Sequence, residues 1–197
     1  AGDQRPVKIL VADSAGFCWG VRRAMDRTLD LAESGNPSIV TLGPLIHNHH
    51  VVDFLAVRGV HTVDDVDAVS AGTVIVRAHG TTPHVLQQLK ARGLHVCNAT
   101  CPKVGKVQGI VKGAVSRGFQ VFIAGDTGHA EVVSLMGYAG GKATLLQSPD
   151  QVRELAPVQN AILVAQTTFN RTTFHEIAAR LAEICESLDV RDTICDS

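Results

Sequence analysis

The stretch that decides the fold is Leu94-His95-Val96-Cys97-Asn98-Ala99-Thr100-Cys101, followed by Pro102. Its first residues form a short apolar run that is typical of a strand. Pro102 suits a first helical turn, where its missing N–H would have no partner. Cys101 is therefore predicted to lie where a strand ends and a helix begins. A cysteine at that place is partly exposed, and the backbone N–H groups of the first turn favour its thiolate.

The same order of strand and cysteine occurs twice more in the chain. A buried strand is predicted over residues 7–12, before Cys18, and another over residues 188–192, before Cys195. In the second and third copies an Asn or Asp stands three residues before the cysteine. Three strand ends that each present a cysteine predict one shared centre.

The composition of the 197 residues limits the possible classes of protein. Hydrophobic residues make up 45% and charged residues 19%, which is typical of a globular chain. The net charge of −1 argues against a nucleic-acid partner, and no apolar run approaches the ~18 residues that span a bilayer. Residues 1–6 lack the regions of a signal peptide. The five cysteines form no closely spaced framework, so we expect reduced thiols and a cytoplasmic location.

The chain repeats one α/β unit at a distance of about 83 residues, the separation of Cys18 and Cys101. Each of these cysteines begins a predicted helix that ends at a glycine 17 residues later, Gly35 or Gly118. Alternating strands and helices predict parallel sheets with helices packed on them. We therefore predict an α/β fold with a first unit over residues 1–95, a second over 96–189 and the start of a third over 190–197.

Two cysteines are expected to have no chemical role. Cys97 lies inside the predicted strand of the opening stretch. Cys185 falls on the apolar side of a helix predicted over residues 171–186. Free cysteines in such places are usually small core residues.

Three histidines follow predicted strands and neighbour small or glycine residues. Sites in parallel sheets form at the carboxyl ends of the strands, so these rings should share one edge with the cysteines. Their N–H groups, together with nearby backbone N–H groups, would suit a phosphate or diphosphate. The alternative is an ordinary polar loop in each case. The three are His47, His79 and His129.

Glu131 begins the helix that follows His129. A carboxylate is common at a first turn, because it interacts favourably with the helix dipole. Beside a reaction centre the same group could be a proton donor with a raised pKa. Thr167, at another strand end, could relay that proton or hold the carboxyl in place.

Three cysteines are too few to complete a tetrahedral metal site. A zinc ion could take a histidine as its fourth ligand. Alternatively, three thiolates could hold a 4Fe-4S cluster and leave one iron open to a substrate. The residues alone do not decide between these two groups. The glycine loop at residues 125–131 matches neither a Walker A loop nor a dinucleotide-binding loop.

A set of motifs covers essentially the whole chain in one order, and it resembles the 4-hydroxy-3-methylbut-2-enyl diphosphate reductase family of the methylerythritol phosphate route to isoprenoids. The motifs are Ala15-Gly-Phe-Cys18-Trp-Gly-Val, Ile46-His47-Asn48 with Val51-Val52, Arg77-Ala-His79-Gly80, Asn98-Ala-Thr-Cys101-Pro, Gly128-His129-Ala-Glu131-Val, Gln166-Thr167-Thr168 and Thr193-Ile-Cys195.

The resemblance implies a pseudo-threefold α/β arrangement around a 4Fe-4S cluster. Its implied ligands are Cys18, Cys101 and Cys195. The substrate diphosphate would be bound by His47, His79, His129 and Thr167, and the proton path would use Glu131 and Thr167. The reaction would be a reductive dehydroxylation to isopentenyl and dimethylallyl diphosphate. A ferredoxin or flavodoxin would supply the electrons, with no nucleic-acid or membrane partner.

Family members of this kind carry a full third domain, and the repeat predicts that most of it is missing here. Because chain ends are usually the least ordered part of a protein, we expect Cys195 to be poorly held. Two other classes stay open. One is a zinc- or cluster-binding module without catalysis, and the other is a small-molecule-binding α/β protein without a metal.

Overall fold

Strands and helices alternate along the chain. The computed structural model describes residues 8–10, 12, 15–35 and 38–196. In the first half the elements are α1 (Trp19–Glu33), β1 (Ile39–Leu42), α2 (His49–Ala56), β2 (Val60–Val63), β3 (Thr73–Val76), α3 (Pro83–Ala91) and β4 (His95–Asn98). In the second half they are α4 (Pro102–Ser116), β5 (Gln120–Ala124), α5 (Ala130–Tyr138), β6 (Ala143–Leu146), β7 (Val158–Ala165), α6 (Arg171–Ala182) and β8 (Cys185–Val190).

The strands form two parallel sheets with the same internal order. The first sheet runs β2-β1-β3-β4 and the second runs β6-β5-β7-β8. The central pairs end level with each other, because Leu42 lies opposite Val76 and Ala124 lies opposite Ala165. The prediction of two repeated parallel α/β units is confirmed.

The central strands are mostly apolar because helices cover both faces of each sheet. In β3, Ile75 packs into one core cluster, whereas Val74 and Val76 pack into another on the opposite face. In the same way, alternate residues of β5 enter two different clusters, with Phe122 in one and Ile123 in the other. This period of two is what a buried parallel strand requires.

The two units pack together through α5. At Gly137 an added Cβ would come within 2.5 Å of the Thr82 side chain at the start of α3, so the two helices approach closely. Ser134 Oγ donates to the Thr81 carbonyl at 3.0 Å and accepts from Gln108 Nε2 at 2.8 Å. Gln108 and Ser134 are both buried, so this polar contact fixes α4 and α5 against the loop that follows β3.

Two predicted elements are wrong in detail. Residues 8–10 and Ala12 lie in no strand, and Ile9 is 82% exposed, so the predicted buried strand over 7–12 is absent from its described part; Val7 and Val11 lie outside the described residues. Cys185 lies in β8 and not in a helix, because α6 ends at Ala182 and the chain then pairs with β7.

The boundary predicted between residues 95 and 96 falls inside β4, which pairs with β3 of the first sheet. We therefore propose two units that meet after Asn98. Within the part of the chain that the structure describes, no helix has the length and apolarity needed to cross a membrane.

Candidate functional site

The sheet order creates a crevice in each unit. In each sheet the strand order reverses at one point, between β1 and β3 in the first sheet and between β5 and β7 in the second. Ligands bind at such switch points, beyond the carboxyl ends of the strands. His47 and His129 each lie five residues after the end of their strand, β1 or β5. His79 and Thr167 follow the neighbouring strands β3 and β7. The repeat therefore brings matched loops to both crevices.

Three histidines from both units form one cluster. The rings of His47 and His79 have centroids 4.6 Å apart, and His129 lies 5.4 Å from His79 and 5.7 Å from His47. One ring nitrogen of each histidine lies within 4.8 Å of the others. The sequence placed these rings at one edge, and the structure brings them into contact.

His79 is held neutral. Burial, followed by the charges of His47, His129 and Arg77, lowers its pKa to about 4. Its Nδ1 is buried and has no hydrogen-bond partner among the described residues. A buried polar atom without a partner is costly, which makes it a place where a ligand can bind.

His129 has a defined proton position in its neutral form. Its Nδ1 accepts from the backbone N–H of Glu131 at 3.2 Å, so the ring proton lies on Nε2. Burial, followed by the charge of His47, lowers its pKa. His129 therefore begins α5 as its cap and offers an N–H donor on its other side.

Arg77 adds a positive charge behind the histidines. Its guanidinium packs against Gly43, where an added Cβ would lie 2.7 Å from a guanidinium nitrogen. Gly43 has a φ of +69°, so both its backbone and the space above it favour glycine. Burial lowers the pKa of Arg77, and Asp64 opposes this effect. Arg77 belongs to a quoted motif, but its placement beside the histidine cluster comes from the structure.

Glu131 and Thr167 form a buried pair that joins the two crevice loops of the second unit. Glu131 is 1% exposed, and its two carboxyl oxygens accept from the Thr167 backbone N–H at 2.8 Å and from Thr167 Oγ1 at 2.7 Å. Burial raises the pKa of Glu131, whereas the hydrogen bonds from Thr167 lower it. The net direction is upward, which suits a group that must keep a proton.

One cavity of about 120 Å³ brings most of the candidate residues together. Of the eight candidate site residues predicted from the sequence, six line this cavity. The other two, His47 and His129, contact the lining residue His79 through their rings. The six are Cys18, His79, Cys101, Glu131, Thr167 and Cys195. Cys97 and Cys185 do not line it; burial raises the pKa of each, in keeping with packing residues.

The two helices that begin with a cysteine lack a side-chain cap. Cys18 caps α1 and Cys101 caps α4, and neither makes a capping hydrogen bond. By contrast, Asn48 accepts from a first-turn N–H in α2, and Thr82 does so in α3. The first-turn N–H groups of α1 and α4 therefore have no such side-chain acceptor and can donate to an anionic group beside the sulfurs.

Gly20 makes the approach of these two cysteines possible. It is buried in the first turn of α1, and an added Cβ would lie 2.5 Å from Cys101 Sγ and 4.0 Å from Cys18 Sγ. The sulfur of Cys101 thus occupies the space that a side chain at position 20 would need.

Cys195 is firmly held, so the expectation of a poorly held third cysteine is wrong. Its backbone N–H donates to the Thr167 carbonyl at 2.7 Å. Thr193 Oγ1 bonds both the N–H and the carbonyl of Ala165, at 2.8 and 2.6 Å. Arg171 pairs with Asp192 and Asp196 on the two sides of the cysteine. These bonds continue the pairing of β7 and β8 past the strand end.

Lys103 is a site residue that the sequence analysis missed. Its Nζ donates to Cys195 Sγ at 2.9 Å, and this contact raises the pKa of Lys103. A signal was present: a cation in the first turn of a helix opposes the dipole, which indicates an anionic partner nearby. The sequence does not show that the partner is a cysteine 92 residues away.

Comparison with known proteins gives a family and close relatives. The LytB protein family model matches residues 9–197. The 4-hydroxy-3-methylbut-2-enyl diphosphate reductase of Anaeromyxobacter sp. (strain Fw109-5) is 36% identical over 191 residues, which cover 96% of this chain and 67% of the relative. The enzyme of the same name from Alkaliphilus oremlandii (strain OhILAs) is 33% identical and covers 97% and 69%. The chain thus spans about two thirds of the length of these relatives.

Two solved structures have the same fold. A solved (E)-4-hydroxy-3-methyl-but-2-enyl diphosphate reductase, the terminal enzyme of the non-mevalonate pathway, superposes with a TM-score of 0.82 at 33% identity and covers 95% of this chain and 68% of its own. The E-1-hydroxy-2-methyl-but-2-enyl-4-diphosphate reductase from Plasmodium falciparum superposes with a TM-score of 0.86 at 24% identity, covering 93% and 59%. The second likeness concerns the fold alone.

Proposed function

Because this chain belongs to the LytB protein family, we propose that it forms the cluster-binding and proton-donating part of a 4-hydroxy-3-methylbut-2-enyl diphosphate reductase. One observation carries the proposal. A single cavity joins three cysteines with a buried carboxyl group and a histidine, and these residues come from both units of the fold.

Cys18, Cys101 and Cys195 are the proposed ligands of a 4Fe-4S cluster. Their surroundings fit such a group, because the first turns of α1 and α4 lack side-chain caps and can donate to its sulfurs. Gly20 leaves room for the sulfur of Cys101. When bound, a cluster with three thiolate ligands supplies electrons and one iron that is open to a substrate.

His47, His79 and His129 are the proposed diphosphate ligands, with Thr167 as a further hydroxyl ligand. Neutral imidazoles each offer one N–H, and His129 points this proton away from its backbone contact. The charge of Arg77 beside His79 and His129 favours an anion. A bound diphosphate would raise the pKa values of His79 and His129 and draw protons to them.

Glu131 is the proposed proton donor, and Thr167 holds it in place. The carboxyl group is buried in the cavity wall, where its pKa is raised, so it keeps its proton at higher pH than a carboxyl in water. Thr167 Oγ1 lies 2.7 Å from the carboxyl and can pass a proton between it and the cavity.

The proposed reaction is the reductive dehydroxylation of 4-hydroxy-3-methylbut-2-enyl diphosphate. Two electrons and two protons convert the substrate to isopentenyl or dimethylallyl diphosphate, and its hydroxyl oxygen leaves as water. We propose a ferredoxin or flavodoxin as electron donor and the cytoplasm as location. The resemblance to reductases with this name supports the reaction. The three cysteines that line one cavity support the cofactor.

A second candidate is a zinc-binding module without catalysis. The three histidine nitrogens within 4.8 Å of one another favour zinc, because imidazole nitrogen is a common zinc ligand. This candidate uses the histidines as metal ligands, whereas the first uses them to bind an anion.

One experiment separates the two candidates. The protein is reconstituted under anaerobic conditions with iron and sulfide, and in parallel with zinc, and the bound metal is counted. The proposal expects a brown protein with broad absorbance near 400 nm. Cys18→Ser, Cys101→Ser or Cys195→Ser should lose most of the iron, whereas the control Cys97→Ser should keep it. Zinc that binds without iron and is lost in His79→Asn would favour the second candidate.

A further inference from the structure

A charged side chain contacts the third cysteine of the cavity. Lys103 stands in the first turn of α4, two residues after Cys101, and its Nζ donates to the sulfur of Cys195 at 2.9 Å. One side chain therefore joins the helix that begins at one cysteine to the segment that carries another. This cation opposes the dipole of its own helix, and its contact with the sulfur offsets that effect.

We propose that Lys103 raises the reduction potential of the cluster by a charged hydrogen bond to Cys195 Sγ. The inference rests on the proposed function, since it needs Cys195 as a thiolate ligand. It concerns a positioning and tuning residue, because Lys103 acts through the sulfur.

The physical reason is the charge of the reduced state. One-electron reduction adds one negative charge to the cluster and its thiolates. A positive N–H donor at a ligand sulfur stabilises this more negative state more than the oxidised one, so it raises the potential. Charged donors make the stronger hydrogen bonds, but this one is exposed to water, which weakens it.

The expected size follows from that contact. Loss of one charge-assisted hydrogen bond at an exposed site should change the ratio of oxidised to reduced cluster by about tenfold. For a one-electron couple a tenfold change corresponds to about 59 mV, here toward lower potential.

Three variants separate the contact from general surface charge. Lys103→Met removes both donor and charge, whereas Lys103→Arg keeps both. Lys106→Met is the matched control, because Lys106 is also exposed on α4 and, together with Lys103, lines a surface groove beside residues 190–194. Each protein is reconstituted anaerobically with iron and sulfide, and its iron is counted. The cluster is then titrated with sodium dithionite in the presence of redox mediators, and electron paramagnetic resonance follows the reduced form. The titration is done in about 0.2 M salt, because exposed charges more than ~8 Å apart are then largely screened.

The expected result is full iron in all variants and a lower midpoint in Lys103→Met alone. An unchanged midpoint in Lys103→Met, or an equal shift in Lys106→Met, overturns the inference and leaves the proposed function standing. The inference is also overturned if the midpoint potential of Lys103→Arg falls as far as that of Lys103→Met. Iron loss in Lys103→Met would show that Lys103 holds the ligand and does not tune it. A parent protein that binds no iron refutes the proposed function, and the inference with it.

Discussion

Gly20 is the position where the smallest chemical change tests the proposed cluster site. In Gly20→Ala the new Cβ would lie 2.5 Å from Cys101 Sγ. Atoms in favourable contact are roughly 3.5–4 Å apart, so the sulfur or the start of α1 must move by about 1 Å. Binding constellations tolerate displacements of only about 0.5 Å. Gly20→Ala should therefore lose most of its iron.

The same change should leave the protein folded. Overpacking at a buried position costs about 1–3 kcal/mol, while replacing glycine by alanine in a helix contributes up to about 1 kcal/mol of stability. The free energy of unfolding should thus fall by at most about 3 kcal/mol. The effect on metal binding and the effect on stability are separable for this reason.

The matched control is Gly105→Ala on α4, where no atom lies within 4 Å of the added Cβ. It should keep its iron and gain about 0.5–1 kcal/mol. Iron per chain is measured after anaerobic reconstitution, and stability is measured by urea unfolding of the iron-free proteins. If Gly20→Ala binds as much iron as Gly105→Ala, the sulfur of Cys101 is not a ligand in the position described.

The remaining predictions concern three groups around the cavity. Because the pKa of His79 is lowered to about 4, the unfolded chain binds a proton between pH 6.5 and 4 that the folded protein does not bind. The free energy of unfolding should therefore fall by at most about 3 kcal/mol between pH 6.5 and 4. In urea unfolding, His79→Asn should show a free energy of unfolding that depends less on pH. In Glu131→Gln, turnover should fall about 100- to 10,000-fold while the iron is retained. Above pH 4.5 the parent protein should show the infrared carbonyl band of a protonated carboxyl group, and this band should be absent from Glu131→Gln. Equal turnover in the two proteins would restrict Glu131 to a structural role. Arg171→Met should increase amide hydrogen exchange across residues 191–196, whereas the control Arg180→Met should not, and stability should change by less than about 2 kcal/mol because these ion pairs are exposed.

Most of the fold could be predicted because it depends on local signals that repeat. α1 begins and ends as predicted, since Gly35 follows its last turn with a φ of +73°. The strand over residues 7–12 was wrong, because an apolar run indicates burial only if another element covers it, and the described residues provide no strand partner for Ile9. Cys185 was placed in a helix because the apolar pattern of α6 runs on past Ala182, where pairing with β7 takes over.

The candidate site could be predicted only in part. The strand-end rule selects residues by their place along the chain, so it found Cys101, Cys195 and the histidines, whereas the strand predicted before Cys18 is absent from its described part. It could not find Lys103, whose partner is 92 residues away, or the packing of Arg77 on Gly43. It also misjudged Cys195, because it counted residues to the chain end and not the hydrogen bonds that continue the sheet.

The matched strand order of the two sheets has an evolutionary consequence. The loop after β3 carries His79, whereas the corresponding loop after β7 carries Thr167. A duplicated frame provides two copies of each loop position around one cavity, so a mutation in one copy leaves the other copy's contribution in place. The same loop position could therefore carry an imidazole in one copy and a hydroxyl group in the other, so the duplicated frame places two different chemical groups at matched points around one cavity.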